Sequence, residues 1–341
     1  PIMTSVALVT GGSSYLASYI IRQLHEQGGV TIRATIRSLK DTKKIEHLKD
    51  INVEWHEADL SQPGAFDQVV QGVTVIYHVA SPYFYSSTDP QREIVDPAVQ
   101  GVRSVLEAAS KSSSVKQVIV TSSGTAFINI FSPDPNKIYT EKDWNTEATV
   151  QTAPYPYSKV VSEKAAWEFM ERENPSFGLT VVAPGFIIGP PLNHYSNPSE
   201  LNTSLKTLLG LITRALKAGA VVSGYSPLYI DVRDVANAHI LASQEPEAIG
   251  KRLLVGQTSV KWSDAFAEVK RKFENVSKDH PLAKLGEKDL EIQDAPNQPN
   301  LKQQIKTDLT TTKTVLQSLQ FTSIADSLID TGVWFVDNQF I

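Results

Sequence analysis

The sequence predicts an α/β fold: a doubly wound parallel sheet with a smaller, mixed C-terminal region. Three observations carry that prediction. Short aliphatic runs alternate with helix-length amphipathic segments as far as Pro190. The runs are apolar at successive positions, as strands covered on both faces require. The first run ends in Thr10-Gly11-Gly12-Ser13-Ser14, a turn suited to joining a strand directly to a helix.

The elements follow in order. Residues 6–10 form a buried strand, and an amphipathic helix runs from the glycine turn to about Gln27. Residues 30–36, rich in β-branched side chains, form the second strand. A Lys-rich helix over 42–49 leads to a short third strand near residues 53–56. Residues 73–80 make the fourth strand, 95–109 a long helix and 117–122 the fifth strand. A helix containing Tyr155 and Lys159 extends to about Arg172, and residues 179–183 are the sixth strand. Beyond Pro190 the texture changes. Residues 194–202 are polar and loop-like, 205–218 helical, and 229–236 a short strand turning into a helix with Asp231 or Asp234 near its start. Residues 252–255 are a further strand, and the chain from Ser263 onward is helical and loop-rich, with turn chemistry at 296–300.

Composition narrows the function. The chain has 341 residues, 41% of them hydrophobic, enough for a full core in one large or two closely joined domains. A net charge of −5 with no basic block argues against nucleic acid and anionic membranes as partners. Cysteine is absent, so disulfides, thiolate metal sites and thiol nucleophiles are excluded, in keeping with a cytoplasmic protein. No apolar run approaches the roughly 20 residues of a spanning helix, and Pro1-Ile2-Met3-Thr4 carries no signal pattern. Met3 is expected to be the natural initiator, with Pro1 and Ile2 added ahead of it. His194 and His239 stand isolated, without clustered ligand spacing, so no metal site is expected.

Chemistry concentrates at two places. Tyr155 and Lys159 are four residues apart, which on a helix puts both on one face, a turn apart. An ammonium favours the phenolate of a neighbouring phenol, so such a pair can give a proton to a carbonyl oxygen that is gaining charge. At the other end, the turn at Gly11 and the helix N-terminus formed by Ser13, Ser14, Tyr15 and Leu16 offer N–H groups to a pyrophosphate. The full Gly-x-x-Gly-x-x-Gly signature is not kept: Ser14 and Ala17 stand at its second and third positions. A positive φ or a close approach at Ser14 would favour glycine. After the second strand, where an NAD enzyme carries Asp or Glu, this chain has Arg37, with Lys44 following. A planar guanidinium suits a 2′-phosphate, which points to NADP(H) as cofactor. Asp59 and Leu60, after the third strand, are candidates to meet the adenine, although Asp59 equally suits a helix cap.

Thr10-Gly11, Arg37, Asp59-Leu60, His78-Val79-Ala80-Ser81-Pro82, Thr121-Ser122-Ser123, Tyr155 with Lys159, and Pro184-Gly185-Phe186-Ile187-Ile188-Gly189-Pro190 occur in one order at consistent separations. The set resembles the extended short-chain dehydrogenase/reductases. The branch it is most similar to holds plant dihydroflavonol and cinnamoyl-CoA reductases and yeast methylglyoxal (carbonyl) reductases. The resemblance spans about Val6 to Val255. It implies a Rossmann-type sheet and an NADPH-dependent reductase of ketones or aldehydes. It implies that Ser123 hydrogen-bonds the substrate carbonyl, that Tyr155 donates the proton, and that Lys159 holds the nicotinamide ribose. It also implies that Val79, Ala80 and Ser81 line the cofactor path, that Pro184, Gly185 and Ile187 lie beside the nicotinamide, and that Ser204 touches the pyrophosphate.

The partner expected is a small carbonyl compound, apolar or aromatic, because rings cluster near the carboxyl ends of the strands. Tyr83, Phe84, Phe127 and Phe186 are the candidate wall, with Tyr85, Pro191, Leu192, Tyr195 and Tyr225 as further candidates. Residues 3–190, rejoined by 228–256, are expected to form the NADP(H)-binding domain, and 191–227 with 257–341 the smaller substrate-binding one. A monomer and a homodimer both fit. Two other readings stay open: an NAD-retaining nucleotide-sugar epimerase or dehydratase, and a non-catalytic NADP-sensing regulator. Tyr155, Lys159 and Ser123 together argue against the sensor.

Overall fold

The computed structural model describes residues 5–82, 87–218, 220–222, 224–274, 279–285, 288–290 and 303–341. In chain order its strands are β1 (Ser5–Thr10), β2 (Val30–Ile36), β3 (Val53–Glu57), β4 (Val75–His78), β5 (Gln117–Thr121), β6 (Ile138–Tyr139), β7 (Gly178–Pro184), β8 (Phe186–Ile188), β9 (Ala220–Val222), β10 (Tyr229–Asp231), β11 (Arg252–Val255), β12 (Lys288–Leu290) and β13 (Lys306–Thr307). Its α-helices are α1 (Tyr15–Gln27), α2 (Asp96–Ser110), α3 (Pro154–Glu173), α4 (Thr203–Ala218), α5 (Val232–Gln244), α6 (Trp262–Glu274), α7 (Thr310–Val315) and α8 (Ile324–Asp337).

Seven strands make one sheet in the order β11-β7-β5-β4-β1-β2-β3, every neighbouring pair parallel. The continuous apolar runs follow from that arrangement, because each strand buries both faces. Along β1, Ala7 and Val9 enter the core shared with α1 and α5, while Leu8 faces the core under α2 and α3. Along β5, Ile119 takes the first side and Val118 and Val120 the second, as the two-residue period of a strand dictates. The chain leaves β1 toward β2 on one side and reaches β4 on the other. That reversal opens a crevice beyond the carboxyl ends of β1 and β4.

Several expectations shift in detail. The segment expected as a helix over 42–49 is a 3₁₀ turn, Thr42–Leu48. Its apolar residues Ile45 and Leu48 are three apart, which stacks them in a helix of three residues per turn. The fourth strand stops at His78, earlier than expected, because the N–H groups of Val79 and Ala80 turn to donate to the Thr10 hydroxyl, each at 3.1 Å. Asp231 caps α5 by accepting the Arg233 N–H at 2.9 Å, as its place before the helix suggests. β11 closes the sheet edge against β7. Residues 296–300 lie outside the described residues.

Around α4, α6 and α8 a second part of the core is built from aromatic contacts. Trp334 stacks on Phe340 at 5.3 Å and meets Tyr195 edge-on at 6.1 Å. Among the described residues no helix is long and apolar enough to cross a membrane.

Two buried histidines brace the strand ends that border the crevice. His239 places Nδ1 2.8 Å from the Val235 carbonyl, so that nitrogen carries the proton, and Nε2 accepts from the Thr121 hydroxyl at 2.8 Å. His78 lies 3.0 Å from the Thr10 hydroxyl through Nδ1. Burial drives both away from protonation, His239 from 6.5 to about 4 and His78 from 6.5 to about 3, with the Lys159 charge adding to the latter. The unfolded chain therefore binds these protons as pH falls through 6.5 while the folded chain does not. Each histidine is expected to remove up to about 1.4 kcal/mol of stability per pH unit in that window. A denaturant midpoint that falls from about pH 7 to about pH 5, with unshifted His78 and His239 NMR signals in the native protein, would bear this out.

Candidate active site

The crevice deepens into a cavity of about 280 Å³. Its floor is the carboxyl ends of β1, β4 and β5 and the turn between β7 and β8. Ser14, Tyr15, Leu16, Val79, Ser81, Ser123, Tyr155, Lys159, Pro184, Gly185, Phe186, Ile187 and Ser204 all line it, so residues spread over much of the sequence meet in one place.

The glycine turn is tight for a physical reason. Gly11 has φ +65°, and a Cβ there would stand 3.0 Å from the Ala80 Cβ. At Gly12 a Cβ would meet Ala34 Cβ and the Trp55 ring, both at 2.8 Å. Ser14 needs no glycine. It is the N-cap of α1 with φ −83° and ψ 161°, an ordinary extended backbone, and its N–H donates to the Gly11 carbonyl at 2.9 Å. Ala17 is fully buried against the core. Tyr15 reaches across to donate to the Gly189 carbonyl at 2.6 Å, and Asn193 donates to the Ser13 carbonyl at 2.9 Å. Both bonds pin the α1 start to the segment after β8.

Lys159 is 5% exposed, with Nζ 3.5 Å from the Thr121 carbonyl and 5.8 Å from the centre of the Tyr155 ring. Burial lowers it from 10.5 to about 8, and the carboxylate of Glu163 works against that shift. Tyr155 sits one turn earlier on α3, 7% exposed. Ser123 caps the turn after β5. Its Oγ accepts from the Thr125 N–H at 3.2 Å and the Thr125 hydroxyl at 3.0 Å. With both acceptor positions taken, the Ser123 hydroxyl hydrogen is left to donate into the cavity.

The turn between β7 and β8 is crowded. A Cβ on Gly185 would stand 2.5 Å from the Leu228 carbonyl oxygen, which already accepts the Phe186 N–H at 2.6 Å. Gly185→Ala is expected to cost about 1–3 kcal/mol of stability, read as a lowered unfolding midpoint, because backbone must move on both sides. An unchanged midpoint would contradict that packing.

Not every expected residue meets here. Arg37 is exposed at the end of β2, and Asp59 follows β3 with its carboxylate accepting the Ser61 N–H at 2.8 Å. The Ser61 bonds hold that carboxyl below its usual range, and the Arg37 charge adds to the effect. Lys44 is turned away into an exposed ion pair with Asp41 at 2.6 Å. Leu60 packs where a Cβ on Gly101 would meet it at 2.9 Å, so its contact is with α2. Phe127 is a correction. It is 1% exposed, in the core beneath the Arg252 guanidinium at 3.9 Å, and is not part of the cavity wall. Its place at the end of the 3₁₀ turn Gly124–Ala126 puts it into the buried cluster with Ala183 and Leu254, where burial of a ring gains most. Leu192, Tyr195 and Tyr225 likewise pack against the core. Tyr83, Phe84 and Tyr85 lie outside the described residues.

The cavity also has walls that the sequence reading passed over. Ile128, Ile130, Pro227, Leu228 and Trp262 line it, together with Asn202 and Thr207. Asn202 had a local signal. It stands just before α4 and accepts the Leu205 N–H at 2.9 Å, as a helix cap does. Trp262 had none, since only folding brings the start of α6 to the carboxyl end of the sheet. Apart from Lys159, no charged side chain lines the cavity among the described residues.

Comparison with known proteins accords with this geometry. The family model described as the NAD dependent epimerase/dehydratase family matches residues 7–256. Cinnamoyl-CoA reductase CAD2 of Medicago truncatula is 36% identical over 74% of this chain and 76% of its own. A putative NADPH-dependent methylglyoxal reductase, GRP2 of Candida albicans, is 32% identical over 82% and 86% respectively. Among solved structures, the yeast methylglyoxal/isovaleraldehyde reductase Gre2 complexed with NADPH superimposes with a TM-score of 0.82 at 27% identity, covering 98% of this chain and 99% of that one.

Proposed function

The chain belongs to the NAD dependent epimerase/dehydratase family, and from that premise we propose that it is an NADPH-dependent carbonyl reductase converting ketones or aldehydes to alcohols. The observation that carries the reading is that Ser123, Tyr155 and Lys159 line one mostly apolar cavity, to which no other charged side chain among the described residues contributes. Relatives named as reductases, one solved with NADPH, support it.

The residues fit a reduced dinucleotide phosphate. Only bare backbone fits at the Gly11 turn, close against Ala80, and the first turn of α1 carries no acidic residue to repel a pyrophosphate. Asn202 borders the cavity and brings a polar amide to its wall. Arg37 stands where an NAD enzyme would carry an acid, which favours a 2′-phosphate and counts against an NAD-retaining epimerase.

When bound, the reduced nicotinamide supplies a hydride for the carbonyl carbon. Ser123 donates its hydroxyl hydrogen to the carbonyl oxygen and holds it in place. Tyr155 passes its proton to that oxygen as charge builds there. Lys159, charged through neutral pH, favours the phenolate left on Tyr155 and offers its ammonium to ribose hydroxyls. The carbonyl thus gains hydrogen at carbon and at oxygen. Ile128, Ile130, Phe186, Leu228 and Trp262 keep water from the reacting carbon and suit an uncharged alkyl or aryl substrate.

The deciding experiment follows loss of nicotinamide absorbance with NADPH and, in parallel, NADH against a panel of ketones, aldehydes and dihydroflavonols. Consumption of NADPH in preference to NADH is the expected result. No turnover with any carbonyl would remove the reading, and tightly bound NAD⁺ in the purified protein would favour the epimerase.

A further inference from the structure

Glu163 is one of the most deeply buried charges of the protein, 1% exposed, yet it touches neither the cavity nor solvent. It lies on α3 four residues beyond Lys159 and eight beyond Tyr155, so the three side chains share one helix face. Its Oε2 accepts the Ser122 hydroxyl at 2.6 Å, and Ser122 immediately precedes Ser123. Its Oε1 is ion-paired with the Arg252 Nε and accepts from the Trp167 Nε1 at 3.4 Å.

Arg252 is itself immobilised. Its Nη1 donates to the Glu141 carbonyl at 2.7 Å and the Asp143 carbonyl at 2.8 Å. Its guanidinium is sandwiched between the Trp144 ring at 3.6 Å and the Phe127 ring at 3.9 Å. The carboxylate therefore cannot move unless β11, the loop before α3 and the end of β5 move with it.

A buried ion pair is a poor device for stability, because desolvation offsets most of the attraction, so stability alone does not account for this one. Resting on the carbonyl reductase reading, we propose that Glu163 is a positioning residue that locks the helix carrying Tyr155 and Lys159 to the strand end carrying Ser123. Two rungs join α3 to β5 at this point, Lys159 to the Thr121 carbonyl and Glu163 to the Ser122 hydroxyl. The first sets how close the helix comes, and the second sets its rotation about its own axis. Rotation matters because a displacement of about 1 Å between proton donor and acceptor can cost about 10²-fold in rate.

Glu163 also has an electrostatic role. It is the charge that opposes the lowering of Lys159 by burial. The other ionisable groups facing Lys159 are Tyr155 on the same helix and His78 from β4, which burial keeps neutral, with Arg252 behind Glu163. Without the carboxylate, Lys159 loses its proton at lower pH, and Arg252 then pushes in the same direction.

The test is the pH dependence of kcat for NADPH-driven carbonyl reduction in the parent, Glu163→Gln and Ser122→Ala. Glu163→Gln is expected to lower kcat about tenfold and to move the alkaline limb acidward by about one pH unit. Ser122→Ala removes the rung and keeps the charge. It is expected to lower kcat about threefold to tenfold with the limb unmoved. Glu163→Gln with kcat within about twofold of the parent and an unmoved limb would overturn the proposal. Should that variant fail to fold, an unchanged kcat in Ser122→Ala would overturn it instead. A parent that reduces no carbonyl at all would mark the failure of the functional reading, with which this inference falls.

Discussion

Tyr155→Phe is expected to lower turnover by about 10²–10⁴-fold while NADPH still binds and the protein stays folded. The phenyl ring occupies the same space in a position that is 7% exposed, so packing is preserved. Only the hydroxyl is lost, and with it the proton that must reach the carbonyl oxygen as charge develops there. Ser123 can still hold that oxygen, which is why residual activity is expected rather than none. The measurement is single-turnover NADPH oxidation beside a fluorescence titration of NADPH. Turnover within about threefold of the parent would withdraw the proton-donor assignment.

Arg37→Ala is expected to raise the KM for NADPH roughly 10–100-fold and to leave the KM for NADH nearly unchanged, since a charge-assisted bond to phosphate is what is removed. Lys44→Ala should do far less, because the Lys44 ammonium is engaged with Asp41 at 2.6 Å on an exposed surface. Paired kinetics with the two cofactors separate a phosphate contact from general damage to the site. Equal losses with NADPH and NADH would reject the phosphate clamp.

Local patterns carried far in this chain. The spacing of Tyr155 and Lys159 already placed them on one face of a helix, and the observed α3 holds both. Arg37 stands directly after the second strand, and of the two acids expected near the next helix start, Asp231 or Asp234, it is Asp231 that caps α5. The least legible positions were those whose neighbours lie far along the chain. Phe127 looked like cavity wall and is core, because Arg252, more than a hundred residues later, covers it. Ser14 looked like a defect in a glycine signature. Its φ of −83° shows that the turn draws its unusual conformation from Gly11 alone.

The amino-acid sequence by itself determined the alternation of strands and helices, the glycine turn after β1 and the Tyr155–Lys159 pair, because each depends on residues within a few positions of one another. Only the tertiary structure decided which rings face the cavity, that Trp262 and Leu228 close it, and that Glu163 bridges Ser122 to Arg252. Those outcomes are contacts between segments far apart in the chain, and their partners are chosen by how the sheet orders its strands and how the helices fill the space around them.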